Sequence, residues 1–216
     1  MKFSGTEDVT LELSGWIPAN CAKKIIGEGI APVIKDGKTR VRLQLARITD
    51  LRSGTLPLIN FNYNEAIWHI AVEKNHDEAW YVLVCDIDHP VSRLIKSRFF
   101  HFNVRKSDFS LMEKRKSLIT HHRPESGGEL LAHIELGAEL VSPEDEKKIY
   151  VRSSDDALYE IPLEKEPADF RRISQADIIR DEISSDIMGA SVEWDPQCIV
   201  FRGRRNHISQ AKKVIL

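Results

Sequence analysis

Residues 38–48 read KTRVRLQLARI, in which polar and apolar side chains alternate with the two-residue period of a β-strand. Val41 and Leu43 lie on one face of this segment, and Arg42 and Gln44 lie on the other. One face is therefore suited to a protein core and the other to a polar surface. The segment predicts a long strand, and the fold prediction starts from it.

Neighbouring segments predict two hairpins around this strand. Asp-Gly at 36–37 is a hairpin turn signal, and residues 33–34 are predicted to be the partner strand. Residues 66–73 and 79–87 are predicted to form a second hairpin around the polar turn at 75–78. Because 79–87 is apolar on both faces, we expect it to be a central strand.

Three helices and several further strands complete the predicted fold. A helix is expected over 18–26, where Gly27 ends it, and a second over 90–100, with Asp88 as its cap. Apolar spacing predicts a third helix over 174–188. Further strands are predicted at 130–141, 148–152 and 197–202. The pattern indicates an α+β fold of mainly antiparallel strand, and the length of 216 residues predicts a single domain over 1–216.

Composition argues against several classes of partner. The formal net charge is -2, which favours neither nucleic acid nor an anionic membrane. The longest apolar run, 79–85, is far shorter than the roughly 20 residues that span a bilayer. The amino terminus lacks the pattern of a signal peptide, so a cytoplasmic location is expected. The cationic segment 114–123 is predicted to be a solvated loop.

Generic catalytic and metal-binding motifs are missing from the chain. The cysteines at 21, 85 and 198 form no CxxC pair and are expected to be reduced thiols. His121 and His122 are adjacent, so in a strand they would face opposite sides and would not share a metal. We therefore expect neither a metal nor a cofactor.

The order of features from Trp16 to Phe109 resembles the acetoacetate decarboxylase-like superfamily. The matching features, in chain order, are a Pro-containing helix leading to Gly27-Glu28-Gly29-Ile30, the strand Val41–Leu45, a loop with Asp50 and Gly54, the strand Tyr63-Asn64-Glu65, Asp86 followed by Pro90 before a helix, and His101–Lys106 after it. The resemblance implies a barrel-like, cone-shaped antiparallel sheet with a few packed helices around a small apolar cavity. Beyond residue 110 the layout is more similar to the uncharacterised YqjF-like branch.

The resemblance also implies a set of site residues. Members of the superfamily form an imine between a lysine and a ketone, which is a known mode of lysine activation. Lys106 and Glu65 are the implied catalytic residues. The implied substrate-binding residues are Tyr63, Gln44, His101, Phe102 and Arg105. Asn103 stands where the superfamily has proline, and Gln44 stands where it has an acidic residue.

Two functions remain open at this stage. The protein is either a lyase that acts on a keto acid through an imine at Lys106, with Glu65 moving protons, or a non-catalytic domain that binds a small keto or carboxylic compound. Fold analogy does not choose between them. The expected partner is a small organic ligand, with no nucleic acid and no membrane, and homo-oligomerisation is left open.

Overall fold

A computed structural model describes residues 1–54, 60–140, 148–166 and 171–214, and most of these residues lie in strands. The strands are β1 (Lys2–Pro18), β2 (Ala31–Pro32), β3 (Lys38–Ser53), β4 (Asn60–Lys74), β5 (Asp77–Ile87), β6 (Val104–Lys114), β7 (Ser117–Pro124), β8 (Leu130–Leu140), β9 (Lys148–Arg152), β10 (Leu158–Ile161), β11 (Leu163–Lys165), β12 (Arg171–Asp181), β13 (Glu193–Ser209) and β14 (Lys212–Lys213). The helices are α1 (Ala19–Ile25), α2 (Pro90–Phe100) and α3 (Ser184–Met188). Of the helices in these described ranges, none is long and apolar enough to cross a membrane.

The strands belong to one sheet whose hydrogen-bonded order is β14-β10-β9-β5-β6-β7-β8-β12-β13-β1-β3-β4-β2, with β11 paired to β13. Strand β4 also pairs with β5. The succession of paired strands β5-β6-β7-β8-β12-β13-β1-β3-β4 therefore returns to β5. Neighbours are antiparallel, except that β5 runs parallel to β6 and β9. Long-range pairing of this kind brings residues from both ends of the chain together.

Two apolar clusters fill the interior. The larger surrounds Leu43 and Trp68, and α1 and α3 pack against it. The smaller contains Ile48, Ile87 and Phe102 and lies beside α2. The candidate site described below lies within the smaller cluster.

The predicted strands at the centre of the chain are confirmed, but one pairing was wrong. Residues 38–48 lie in β3, and β4 and β5 form the predicted hairpin. The predicted partner at 33–34 does not pair with β3, because the Val33 N–H donates to the Ala71 carbonyl of β4 and the isolated bridge to Lys38 comes from Lys35. Both edges of β3 are occupied by the longer strands β1 and β4. The short strand β2 pairs with β4 instead, and Pro32 suits such an edge because proline has no N–H to donate.

Two of the three predicted helices are confirmed. Helices α1 and α2 form where expected, although the cap of α2 is His89, whose ring accepts from the Ser92 N–H, rather than Asp88. The helix over 174–188 was wrong, because β12 occupies its first half and α3 only its end. Strand β12 is hydrogen-bonded to both β8 and β13, and these pairings override the helical spacing of its isoleucines.

The cationic segment 114–123 is not a solvated loop. Lys114 ends β6, Arg115 turns the chain with φ 52°, and β7 pairs with both β6 and β8. The opposite orientation predicted for the two adjacent histidines is confirmed. His121 reaches the partly exposed Glu129, whereas His122 is fully buried 3.2 Å from Asp86.

The cluster around Glu129 predicts an acid-dependent loss of stability. Arg123, His121 and Arg180 all bond its carboxylate and hold its pKa at about 2, below the ordinary 4.5. A carboxyl with a lowered folded-state pKa contributes stability above its ordinary pKa and loses it as the pH falls. Urea unfolding of Glu129→Gln should therefore show a smaller fall in stability between pH 4.5 and 2 than the unmodified protein shows. An unchanged pH profile would contradict this role.

Candidate functional site

A cavity of about 60 Å³, here called the inner cavity, lies in the smaller apolar cluster. At about 15 Å³ for each water molecule, its volume suits a molecule of only a few heavy atoms. Its charged and polar lining residues are Glu7, Glu65, Lys96, Lys165, Gln44, Tyr63, His69 and Asn206. Its apolar lining includes Ile48, Leu51, Ile67, Val82, Phe102, Ile149, Ile161, Leu163 and Ile208. Apolar walls with a few polar groups are typical of small-molecule sites.

Strand β4 supplies one wall of the inner cavity through its period of two. Tyr63, Glu65, Ile67 and His69 occupy alternate positions and all line the cavity. This places three ionisable side chains, Tyr63, Glu65 and His69, along one face of the strand. His69 is 1% exposed, and burial followed by the charges of Arg42 and Lys165 lowers its pKa well below the ordinary range. His69 is therefore neutral at neutral pH.

A buried ion pair joins β4 to α2. Lys96 Nζ lies 3.0 Å from Glu65 Oε2, and both side chains are at least nine-tenths buried. Burial alone would lower the pKa of Lys96, but the Glu65 carboxylate outweighs it and raises that pKa. The Tyr63 hydroxyl also bonds Glu65, and burial together with that carboxylate raises its pKa. Lys96 is therefore a protonated partner of Glu65 rather than a free nucleophile.

A second buried carboxylate comes from β1. The Arg204 guanidinium donates to Glu7 Oε2 from Nε at 2.8 Å, and Asn206 donates to Oε1. Gln44 Nε2 lies 3.4 Å from the same Oε1. Burial would raise the pKa of Glu7, but Lys165 and Arg204 outweigh it and keep that pKa below its usual range. Glu7 is therefore a charged group inside the cavity.

Lys165 is the second lysine of the inner cavity. It lies at the end of β11, where it pairs with Asn206 of β13. Burial lowers the pKa of its ammonium group, and the nearby Arg204 and Arg42 lower it further against the pull of Glu7. A lysine in such surroundings exposes more neutral amine at a given pH than a lysine in water. Neutral amine is the form that attacks a carbonyl carbon.

The structure brings together four of the predicted site residues. Tyr63, Glu65, Gln44 and Phe102 all line the inner cavity. Gln44, which stands where the resemblance implies an acid, lies beside Glu7 on the neighbouring strand. A carboxylate is therefore present in this part of the cavity, but β1 supplies it instead of β3.

The placement predicted for Lys106 was wrong. Its side chain is 56% exposed, and its Nζ lies 3.5 Å from the exposed Glu125. The reason is the alternation of β6, whose core-facing positions are Ser107 and Leu111, so that Lys106 faces outward. Lys106 does not line the inner cavity.

Arg105 and His101 also lie outside the inner cavity. The Arg105 guanidinium binds both oxygens of the fully buried Asp86, at 2.7 and 2.8 Å, so it stabilises the β5–β6 pairing. His101 adopts a left-handed conformation with φ 58° at the end of α2, and its ring stacks on Tyr159 at 4.1 Å. The structure therefore places neither residue on the inner cavity, and their role in substrate binding stays a prediction.

Sequence reasoning missed three charged residues of the site, and only Glu7 left a readable signal. Phe3, Gly5, Glu7, Val9 and Leu11 alternate along β1, which would have marked Glu7 as an acid on a core-facing strand face. Lys96 and Lys165 look like ordinary surface lysines in the sequence. Lys96 is buried because α2 turns the face with Ile95 and Phe100 inward and leaves Leu94 65% exposed.

No arrangement for a metal ion is found among the residues that the structure describes. There, no group of three or more His, Cys, Asp or Glu side chains is placed to hold one. The histidine of the inner cavity, His69, has a lysine and an arginine as its charged neighbours. A cation would be repelled by these groups.

Comparison with known proteins identifies the fold. No protein-family model matches the chain, and no curated protein matches it significantly. Solved structures do match. Acetoacetate decarboxylase from Legionella pneumophila superposes with a TM-score of 0.75 at 10% identity, covering 100% of this chain and 88% of that one. The chain has the acetoacetate decarboxylase fold.

Two further structures share this fold. Another acetoacetate decarboxylase superposes with a TM-score of 0.77 at 10% identity, over 99% of this chain and 89% of that one. The enduracididine biosynthesis enzyme MppR, in complex with a condensation product of pyruvate and imidazole 4-carboxaldehyde, gives 0.75 at 11% identity, over 98% and 88%. The neighbours are thus enzymes that include a decarboxylase and a protein that holds a pyruvate adduct.

Proposed function

We propose that the protein binds a small keto carboxylate in the inner cavity and forms an imine with it at Lys165. The observation that carries this proposal is a lysine of lowered pKa in a small apolar-walled cavity that also holds two carboxylates. In this proposal the ring of paired strands acts as a barrel-like cone around the ligand. MppR supports the ligand class, since that protein of the same fold binds pyruvate.

The proposed imine favours a ligand that carries one carboxylate. Glu7 is paired with Arg204 and Glu65 with Lys96, and Lys165 lies near Glu7 in the same cavity. An iminium ion at Lys165 would be positively charged, and the carboxylate of the ligand would offset that charge. The short carbon chain of the ligand would then contact the apolar walls, and the polar groups would orient it.

The proposed chemistry uses only the ligand and water. The Lys165 amine attacks the ketone carbon, and its proton passes to the oxygen to give a carbinolamine. The carbinolamine takes up one further proton from water and loses its hydroxyl group as water, which leaves an iminium ion. If the ligand is a β-keto acid, its carbon–carboxylate bond breaks, carbon dioxide leaves, and the electron pair moves into an enamine. Glu65, bonded by Tyr63 and Lys96, would move the proton that then adds to carbon. Hydrolysis of the imine releases the product and regenerates the amine.

The alternative function is non-catalytic binding of a similar carboxylate. Two observations favour it: Lys106, at the position where the resemblance implies the reacting lysine, is exposed, and Lys96 is held protonated by Glu65. Membership of the YqjF-like branch, a cytoplasmic location and homo-oligomerisation remain predictions under either function.

Borohydride trapping tests the two functions on the unmodified protein. Incubation with pyruvate or acetoacetate and sodium borohydride should add the mass of one reduced imine, because borohydride converts an imine to a stable secondary amine. A thermal-shift measurement with the same acids should show a raised melting temperature, since the ligand binds only the folded chain. A thermal shift without an adduct would favour the non-catalytic function. Neither effect at millimolar concentration would contradict both.

A further inference from the structure

A second concavity lies on the other side of the inner cavity wall. This outer groove, of about 460 Å³, is lined by polar groups that include Ser97, His101, Asn103 and Ser153. It is much larger than the inner cavity, and fewer of its lining residues are apolar. A small molecule that moves from one space to the other must pass the wall between them.

Among the described residues, Val82 and Phe102 line both spaces. Val82 is 3% exposed in the middle of β5, where it pairs with His69 of β4 on one side and Val151 of β9 on the other. A β-branched residue paired on both sides has little freedom to move. Phe102 lies outside helix and strand and is not β-branched, so it is the better candidate for a movable part of the wall.

The backbone of Phe102 is fixed by hydrogen bonds, so an opening at this position would come from its side chain. Residues 101–103 lie between α2 and β6, outside helix and strand. The backbone is held at both sides, since the Phe102 N–H donates to the Lys96 carbonyl and Asn103 accepts from the Cys85 N–H. The ring lies 5.1 Å from Lys96 Nζ and is 6% exposed. Rotation about its Cα–Cβ bond needs no change in either backbone hydrogen bond.

We propose that small molecules reach the inner cavity from the outer groove by rotation of the Phe102 side chain. This inference rests on the proposed function in that the entering molecule is the keto carboxylate. The closed ring covers Lys96 and keeps bulk water away from the Glu65–Lys96 pair. The polar groove would receive the ligand while its carboxylate is still hydrated, and Phe102 would also limit the size of what enters.

Access can be measured without knowing the ligand. An engineered Ile67→Cys thiol on the cavity wall, in a Cys21→Ser background, is reacted with methyl methanethiosulfonate and followed by mass spectrometry. The Cys21→Ser protein without the Ile67→Cys substitution gives the modification rate of the buried Cys85 and Cys198. If the open ring position is at most about 10% populated, Phe102→Ala should raise the Ile67→Cys modification rate about tenfold or more. Phe102→Trp should lower that rate.

The matched control is Phe109→Ala, because this partly buried ring on β6 lines neither space. It should leave the modification rate unchanged. The proposed route would be overturned if Phe102→Ala reacted no faster than the Ile67→Cys, Cys21→Ser protein that retains Phe102. It would also be overturned if Phe109→Ala raised the rate equally, because that would indicate a general loosening of the structure. If Phe102→Ala fails to fold, an unaltered rate in Phe102→Trp overturns the route by itself. Borohydride trapping is a separate measurement, so failure of the proposed function would not be confused with failure of this route.

Discussion

Lys165→Met is expected to abolish the borohydride-trapped adduct, whereas Lys106→Met should trap as much ligand as the unmodified protein. Lys165 lies in the inner cavity with a lowered pKa, and Lys106 is an exposed lysine paired with Glu125. An imine requires a neutral amine next to the bound ketone, and of the lysines in the described ranges Lys165 is the one that lines the inner cavity with a lowered pKa. The measurement is the intact mass after reduction, followed by peptide mapping of the modified lysine.

Lys106→Met is a matched control for this prediction because it removes the same group from the same protein at an exposed site. Circular dichroism would confirm that both variants are folded. An adduct that persists in Lys165→Met would contradict the assignment, and peptide mapping would then show whether Lys96 is the reacting lysine. An adduct mapped to Lys106 would instead support Lys106 as the reacting lysine, as the family resemblance implies.

Arg204→Met is expected to give the largest loss of stability, about 3–5 kcal/mol of unfolding free energy. Arg204 is 2% exposed, contacts Glu7 Oε2 at 2.5 Å and stacks on the Phe201 ring at 3.6 Å. Methionine retains much of the packing but removes the guanidinium that is hydrogen-bonded to the buried Glu7 carboxylate, which leaves Lys165 as its nearby cation. For a chain of this length the loss corresponds to a fall in melting temperature on the order of 10 °C.

Two variants separate the ion pair from general damage. Glu7→Gln combined with Arg204→Met removes both charges and should recover part of the loss, because the cost lies in the unbalanced charge. Arg52→Met removes the exposed Arg52–Asp50 pair, whose side chains are 61% and 55% exposed, and should cost less than about 1 kcal/mol. Urea unfolding of the variants is the measurement. A double variant that is less stable than Arg204→Met would argue against the electrostatic explanation.

The same pair should respond to pH with a defined sign. Lys165 and Arg204 lower the pKa of Glu7 against the effect of burial, so its contribution is present above the ordinary glutamate pKa and is lost as the pH falls through the folded value. In Arg204→Met, Glu7 takes up a proton more readily. The stability difference between Arg204→Met and the unmodified protein should therefore shrink as the solution is acidified.

Local sequence patterns were sufficient to predict several of the strands and helices. The alternation over 38–48, the hairpin of β4 and β5 and the two helices α1 and α2 were all predictable, because side-chain period and the proline and glycine signals at helix ends act within a few residues. Alternation along a strand also places Tyr63 and Glu65 on one face of β4, and both line the inner cavity. These predictions required no knowledge of distant contacts.

Contacts between residues distant in sequence determine which charged side chains line the cavity. Glu7 and Arg204 meet because β1 and β13 pair in a register that sets them opposite each other from the two ends of the chain. The burial of Lys96 is possible because Glu65, on another element, balances its charge. Lys106 stays outside the cavity because its position on β6 faces outward. Burial of a charged side chain depends on a partner distant in sequence that offsets its desolvation. Local periodicity carries no information about that partner, so a buried lysine and a surface lysine look the same in the sequence.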